Sequence, residues 1–129
     1  MIAKGKGKIL IVEDDTVLVR MYTTKFQHDG YEVVQAIGGN EGIQKAQETK
    51  PDLILLDIMM PKMDGFEVIK TLKTIEQTKN IPIIILTNLG TSKVLVDEAR
   101  RLGVETYLVK YKTSAQEVID TVEKALVRT

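Results

Sequence analysis

The side chains best suited to chemistry in this chain each follow a short run of apolar residues. They are Glu13 and Asp14 after KILIV, Asp57 after LILL, Thr87 after IPIIIL, and Lys110 after ETYLV. Apolar runs of this length are typical of strands buried on both faces of a parallel sheet. Because ligands bind outside the carboxyl ends of such strands, we expect these polar groups at the edge where chemistry takes place.

The grouping of three carboxylates with a hydroxyl and an ammonium indicates phosphoryl transfer. Crowded carboxylates disfavour one another's ionisation, and a bound cation relieves their repulsion. Oxygen ligands of this kind suit Mg²⁺, which keeps several waters and bridges readily to a phosphate. The Lys110 ammonium and the Thr87 hydroxyl would neutralise and hold the phosphoryl oxygens. Asp57 is the carboxylate predicted to act as nucleophile and to become an aspartyl phosphate.

The rest of the chain alternates strand and helix patterns. Strands are predicted at Lys8–Val12, Tyr31–Gln35, Leu53–Leu56, Ile81–Leu86 and Glu105–Val109. A helix pattern follows each strand, and the last two helices are predicted at Thr91–Leu102 and from Ser114 onward. This alternation predicts an α/β fold of the flavodoxin-like type: a doubly wound, five-stranded parallel sheet of order 2-1-3-4-5 with five helices. In that order the strands before Glu13 and Asp57 are neighbours.

Three predicted helices begin with a capping signal. Asp15 is expected to cap the first helix and not to bind metal, because its short acceptor side chain immediately precedes that helix. Asp64 with Glu67, and Ser114 with Glu117, have the three-residue spacing of a capping box. These signals separate the helices from the loops that carry the candidate site residues.

Composition and charge indicate one globular domain that is neither a nucleic-acid binder nor a membrane protein. Of 129 residues, 43% are hydrophobic, and 18 basic side chains balance 18 acidic ones. A neutral chain lacks the field that attracts nucleic acid or a membrane surface. No apolar run approaches the ~18 residues of a spanning helix, and the N-terminus lacks a hydrophobic signal core. A cytoplasmic protein is therefore predicted.

Two further features were interpreted as structural. Residues 1–7, with their AKGKGK alternation, are predicted to form a flexible basic tail before a domain of residues 8–129. His28 lies in a His-Asp-Gly run that indicates a helix end, and a single histidine without ligand partners makes a poor metal site. We expect this side chain at the surface. The absence of cysteine excludes disulfides and thiolate metal sites.

From about Lys8 to Val127 the sequence resembles the receiver domains of two-component response regulators. The matching motifs are the acidic pair in ILIVEDD, Asp57 in LILLDIMMPKMDGFEVI, Thr87 in PIIILT, and Tyr107 with Lys110 in GVETYLVK. Each motif is weak alone, but their spacing is specific. Asp14 and Asp57 are 43 positions apart, Thr87 follows 30 positions later, and Lys110 another 23. Among receivers, the chain is similar to the stand-alone, single-domain type of the chemotaxis response regulator.

The resemblance implies a role for each matching residue. Asp57 would accept a phosphoryl group from a histidine kinase or a phosphotransfer protein, while Thr87 and Lys110 would hold its oxygens. The implied Mg²⁺ ligands are Asp14, Asp57, the backbone carbonyl of Met59, and Glu13 through water. Tyr107 would be an aromatic switch residue. The chain would be a signalling switch and not an enzyme, since it would catalyse only its own phosphorylation and dephosphorylation.

The resemblance also suggests where the signal leaves the domain. The sequence ends soon after its last helix, so we expect no appended DNA-binding or catalytic domain and an output through the receiver surface itself. Phosphorylation would draw Thr87 inward, and Tyr107 would turn into the vacated space. The surface changed would comprise the helix Thr91–Leu102, the strand Glu105–Val109 and the helix from Ser114. A downstream protein or a second copy of the chain is expected to bind there, without direct contact to nucleic acid.

Two positions depart from the usual receiver pattern. The family usually has a small residue after the hydroxyl residue, where this chain has Asn88, and proline after the lysine, where this chain has Tyr111. That lysine–proline bond is commonly cis, and a cis bond without proline costs ~3 kcal/mol. The sequence therefore leaves the geometry of this loop, and the reach of Lys110, open.

Three alternatives share parts of this pattern. A phosphatase of the haloacid dehalogenase type also uses an aspartate after a strand, but it expects a second acid two residues on, where Met59 stands. A flavodoxin-like FMN protein shares the sheet order, but the acidic run after the first strand would repel the phosphate of FMN. The third alternative is a receiver-like interaction module that is no longer phosphorylated, and Asn88 and Tyr111 keep it open.

Overall fold

The computed structural model describes residues 6–128. Its strands are β1 (Gly7–Val12), β2 (Tyr31–Ala36), β3 (Leu53–Leu56), β4 (Ile83–Thr87) and β5 (Thr106–Val109). Its α-helices are α1 (Thr16–His28), α2 (Gly39–Thr49), α3 (Gly65–Thr74), α4 (Lys93–Arg101) and α5 (Ala115–Arg128). A 3₁₀ turn, Lys110–Lys112, lies between β5 and α5. The alternation of strands and helices is as predicted.

All strands are parallel and lie in the order β2-β1-β3-β4-β5, which confirms the predicted topology. Val12 at the end of β1 is in register with Leu56 at the end of β3, and Thr87 of β4 is in register with Val109 of β5. The residues that follow these strands therefore emerge at the same edge of the sheet. They surround the point between β1 and β3 where the direction of strand order changes, which is the usual ligand crevice of such sheets.

Helices cover both faces of the sheet, and alternate residues of each strand point to opposite faces. One apolar cluster joins the sheet to α2, α3 and α4, and its members include Leu10, Ala46, Ile54, Ile69, Ile85 and Ala99. The other joins the sheet to α1 and α5, and its members include Ile9, Phe26, Leu55, Ile84 and Val122. Each large side chain buried here contributes roughly 1.5 to 3 kcal/mol. The strand ends are thus held by packing on both sides.

The start of β1 differs from the prediction. Residues 1–7 were predicted to be a tail, but Gly7 is the first residue of β1 and pairs with Tyr31 of β2. Pairing with β2 extends the strand beyond its apolar residues, and an apolar pattern alone could not reveal that. Residues 1–5 of the predicted tail lie outside the described residues.

The helix caps largely follow the sequence signals. Asp15 Oδ1 accepts hydrogen bonds from two N–H groups in the first turn of α1, at 3.1 and 3.2 Å. Ser114 and Glu117 form both bonds of the capping box at α5, at 2.9 and 3.1 Å. Asp64 caps α3 in the same way as Asp15. The Glu67 carboxylate instead lies 3.7 Å from a lysine one turn along α3, so the box predicted there is half formed.

Two elements begin two residues later than predicted. β4 begins at Ile83 and not at Ile81. α4 begins at Lys93 and not at Thr91, because Ser92 Oγ caps it by accepting a hydrogen bond from an N–H of the first turn at 3.3 Å.

His28 is the last residue of α1, and its side chain is 89% exposed, as predicted. Within residues 6–128 no helix combines the length and the apolar character that crossing a membrane requires.

Candidate functional site

The carboxyl ends of the strands bring the predicted site residues together. Asp57 follows β3, and its N–H donates a hydrogen bond to the carbonyl of Val12, the last residue of β1, at 3.0 Å. This bond places Asp57 beside Glu13, and both residues are buried, with 4% and 5% of their surface exposed. Thr87 at the end of β4 is fully buried, and Lys110 follows β5.

Lys110 bridges two of the carboxylates. Its Nζ lies 2.6 Å from Glu13 Oε1 and 2.9 Å from Asp57 Oδ2, and its side chain is only 16% exposed. Every peptide bond in the described part of the chain is trans, including the bond between Lys110 and Tyr111. The lysine therefore reaches Asp57 from a loop with ordinary trans geometry. The sequence had left the reach of Lys110 open because Tyr111 replaces the usual proline.

Asp14 completes an acidic group. Carboxylate oxygens of Glu13, Asp14 and Asp57 lie within 4.8 Å of one another, and Asp14 is exposed while the other two are buried. A donor set made only of oxygen, with one open side for water, suits Mg²⁺. Asp15 is outside this group because its side chain caps α1, as predicted.

Burial and hydrogen bonding shift the pKa of Glu13 in opposite directions. Burial raises the pKa of Glu13 to about 7, while hydrogen bonds from Lys110 and from the backbone N–H of Asp15 act in the opposite direction. For Lys110, burial acts to lower the pKa, but hydrogen bonds to Glu13 and Asp57 outweigh it and the pKa rises. Because a charged ammonium lies 2.6 Å away, Glu13 titrates as a member of a pair and not as an isolated carboxyl.

Two hydrogen bonds from backbone N–H groups and one glycine shape the loop after Asp57. The N–H of Met59 donates to Asp57 Oδ1 at 2.9 Å, so the acceptor carboxylate is held from both sides. The N–H of Gly65 donates to the carbonyl of Ile58 at 3.0 Å. A Cβ at Gly65 would lie 2.4 Å from Ile58 Cα, so only glycine fits this close approach. Met59 itself is 51% exposed beside the site.

The two predicted switch residues lie on neighbouring strands. Thr87 Oγ1 accepts a long hydrogen bond from the N–H of Leu89 at 3.4 Å. Tyr107 packs against the cluster that joins the sheet to α2, α3 and α4. Its hydroxyl oxygen is buried and has no hydrogen-bond partner among the described residues, and burial raises the pKa of this phenol, with the charge of Asp57 acting in the same direction. The predicted movement of these two side chains stays a prediction.

One contact at the site was missed by the sequence interpretation. Asn88 Oδ1 accepts a hydrogen bond from the backbone N–H of Tyr111 at 3.2 Å. The sequence marked both residues as departures from the receiver pattern but gave no sign that they touch. The positions of Asn88 and Tyr111 were the one signal available in the sequence, because each residue directly follows a residue predicted to hold the phosphoryl group.

The model of the response regulator receiver domain family matches residues 9–123. The chain belongs to this family. Receiver domains bind Mg²⁺ at an acidic cluster, and Glu13, Asp14 and Asp57 form such a cluster in this receiver domain. The family match argues against the phosphatase and FMN-protein alternatives, whereas the unphosphorylated interaction module remains to be tested by experiment.

Curated relatives and solved structures agree with this assignment. Sporulation initiation phosphotransferase F of Bacillus subtilis is 35% identical over 119 residues, which are 92% of this chain and 93% of the relative. The DNA-binding dual master transcriptional regulator RpaA of Synechocystis is 36% identical over 95% of this chain, which spans 50% of that relative. The structure of chemotaxis response regulator CheY4 of Vibrio cholerae superposes with a TM-score of 0.83 at 34% identity, covering 91% of this chain and 96% of CheY4.

Proposed function

We propose that this receiver domain is a phosphorylation switch in which Asp57 accepts a phosphoryl group from a histidine kinase or a phosphotransfer protein. One observation carries the proposal: the buried Asp57 carboxylate accepts a hydrogen bond from Lys110 at 2.9 Å inside an acidic group able to hold a divalent cation. This combination supplies a nucleophile and the charge neutralisation that phosphoryl transfer needs.

The proposed step is a single displacement at phosphorus. An Asp57 carboxylate oxygen forms a bond to phosphorus while the bond to the donor nitrogen of a phosphohistidine breaks, and that nitrogen keeps the electron pair. Lys110 and Thr87 would hold the phosphoryl oxygens as they approach the carboxylate. In this scheme the domain catalyses only its own phosphorylation and dephosphorylation, and it is not an enzyme acting on other substrates.

The acidic group would hold Mg²⁺. We assign direct ligation to Asp14, Asp57 and the backbone carbonyl of Met59, with Glu13 acting through water. The ion would neutralise charge between the carboxylates and the incoming phosphoryl group. The exposed position of Asp14 favours this assignment because Mg²⁺ retains several waters.

The partners are proposed at two different surfaces. Exposed apolar side chains follow the ends of all five strands, and they are Val17, Ile37, Met59, Leu89 and Tyr111. This apolar rim lies at the same edge of the sheet as Asp57 and favours docking of the phosphodonor protein there. Output to a downstream protein, or to a second copy of the chain, is assigned to the face of α4, β5 and α5, where Val94 is 78% exposed. We expect both encounters in the cytoplasm.

Intact-mass spectrometry after incubation with acetyl phosphate and Mg²⁺ tests the phosphorylation. Wild type should gain one phosphoryl group, Asp57→Asn should gain none, and Asp14→Ala should need far more Mg²⁺. Asp97→Asn, on the exposed side of α4, is the matched control and should behave as wild type. A wild type that gains no mass would favour the interaction module that is no longer phosphorylated.

The output face is tested by NMR with beryllofluoride, a mimic of the phosphoryl group. Amide shifts in wild type should extend from the loops around Asp57 into α4, β5 and α5, and Thr87→Ala should confine them to the loops. Confinement in the wild type as well would exclude this output route.

A further inference from the structure

The contact between Asn88 and Tyr111 connects two loops that each begin with a proposed phosphoryl-binding residue. Asn88 directly follows Thr87, and Tyr111 directly follows Lys110. Asn88 Oδ1 accepts a hydrogen bond from the backbone N–H of Tyr111 at 3.2 Å, across 23 positions of sequence. The bonded N–H belongs to the peptide group that also contains the carbonyl of Lys110. The contact therefore holds the main chain from which the Lys110 side chain leaves.

The 3₁₀ turn Lys110–Lys112 explains why this acceptor matters. The first N–H groups of a helical turn have no partner within the turn itself. Val109, at the N-cap position of this turn, provides no side-chain cap. Asn88 supplies the missing acceptor from a different loop. A proline at position 111 has no N–H to donate, so the contact exists only because this chain has a residue other than proline there.

A second contact extends the connection to Thr87. Thr87 Oγ1 accepts a hydrogen bond from the N–H of Leu89 at 3.4 Å. This bond connects the short segment that contains Asn88 to the Thr87 hydroxyl. On the other side, Lys110 is held between Glu13 and Asp57 at 2.6 and 2.9 Å. A shift of Thr87 would thus be passed through Asn88 to the main chain at Lys110.

We propose that Asn88 is a positioning residue for phosphoryl transfer, acting through the Lys110–Tyr111 peptide group. This inference rests on the proposed function and assigns to Asn88 and the Tyr111 N–H a task in it. The lysine side chain has a flexible four-carbon stem, so the place of its main chain decides how often Nζ lies within reach of the acceptor. Asn88 keeps that main chain in place and makes the two phosphoryl-binding loops move together.

The test compares rates of labelling by acetyl phosphate at fixed Mg²⁺. Asn88→Ala and Asn88→Leu both remove the acceptor, the second with a side chain of similar size, and Tyr111→Phe keeps the backbone N–H as the matched control. We expect the first two to label about two- to tenfold more slowly, the range that one neutral hydrogen bond supports, and the control to label at the wild-type rate.

An NMR measurement separates positioning from a general loss of structure. In Asn88→Ala the Tyr111 amide should exchange with solvent faster and shift, while the urea midpoint changes little because Asn88 is exposed. Labelling of Asn88→Ala at the wild-type rate, or an unchanged Tyr111 amide, would overturn the inference and leave the proposed function intact. A wild type that acquires no phosphoryl group would overturn the proposed function and this inference together.

Discussion

The ammonium of Lys110 lies closer to Glu13 than to the proposed phosphoryl acceptor, with Nζ 2.6 Å from Glu13 Oε1 and 2.9 Å from Asp57 Oδ2. Lys110 follows β5 and Glu13 follows β1, so this contact spans the carboxyl edge above β3 and β4. The lysine therefore has a structural task in addition to its proposed contact with phosphoryl oxygens. It compensates the negative charge of two buried carboxylates.

Replacing Lys110 by methionine should lower the free energy of unfolding. The change keeps the length of the side chain but leaves two buried carboxylates without their cation. Breaking a fully buried pair costs roughly 3 to 5 kcal/mol, and we expect about 2 kcal/mol here because the lysine is partly exposed. Urea denaturation in EDTA measures the loss. Lys112→Met, on the same 3₁₀ turn and exposed, is the control, and an equal loss in both variants would contradict the prediction.

Met59 should prolong the life of the phosphorylated state. Hydrolysis requires a water aligned behind phosphorus, and the thioether side chain beside Asp57 provides no donor to hold one. Met59→Asn should speed dephosphorylation by about fivefold, the effect of one added hydrogen bond worth about 1 kcal/mol. Decay of the labelled mass after removal of acetyl phosphate gives the rate. Met59→Leu keeps an apolar side chain and should decay as wild type; an unchanged rate in Met59→Asn would show that this position does not set the lifetime.

We expect the Tyr107 hydroxyl to lower the free energy of unfolding. Its oxygen is buried without a hydrogen-bond partner among the described residues, so the group loses water and gains no bond in return. Tyr107→Phe should therefore raise the free energy of unfolding by about 1 kcal/mol. Urea denaturation tests this, with Tyr111→Phe as the exposed control that should change nothing. Equal or lower stability in Tyr107→Phe would mean that the hydroxyl has a partner in solution.

The capping box at α5 should make stability depend on pH in the acid range. Hydrogen bonds from Ser114, the backbone N–H first, lower the pKa of Glu117 below its usual 4.5. A lowered pKa means that the stabilisation is present above pH 4.5 and is lost as pH falls through the folded-state pKa. Urea titrations in a pH series should show wild type losing this contribution, whereas Glu117→Gln, whose amide oxygen accepts the bond but does not ionise, should lack this pH dependence. Exposed Glu105→Gln should follow the wild-type curve, and a matching curve for Glu117→Gln would refute the assignment.

The sequence predicted the fold well because the apolar runs of β1, β3 and β4 are long enough to be buried on both sides, and because parallel order follows from alternation with helices. It predicted the group of Glu13, Asp14 and Asp57 for the same reason, since strand ends share one edge. The start of β1 at Gly7 was missed because pairing with β2, and not side-chain character, extends that strand.

Contacts between loops could not be predicted in this way. The bond from Tyr111 to Asn88 depends on how two irregular segments approach each other, and no periodicity encodes that. The reach of Lys110 also depended on a backbone geometry that the sequence left open. In both cases the residue types were visible in the sequence, whereas their distance was not.

The sheet divides the core into two clusters, so substitutions on one face need not disturb the packing on the other. Tyr107 packs against the cluster between the sheet and helices α2, α3 and α4, whereas α1 and α5 pack on the opposite face. Substitutions in α1, which carries Val17 of the apolar rim, should therefore leave the packing around Tyr107 untouched. We expect α1 and the packing around Tyr107 to be able to change independently, because they lie on opposite faces of the sheet.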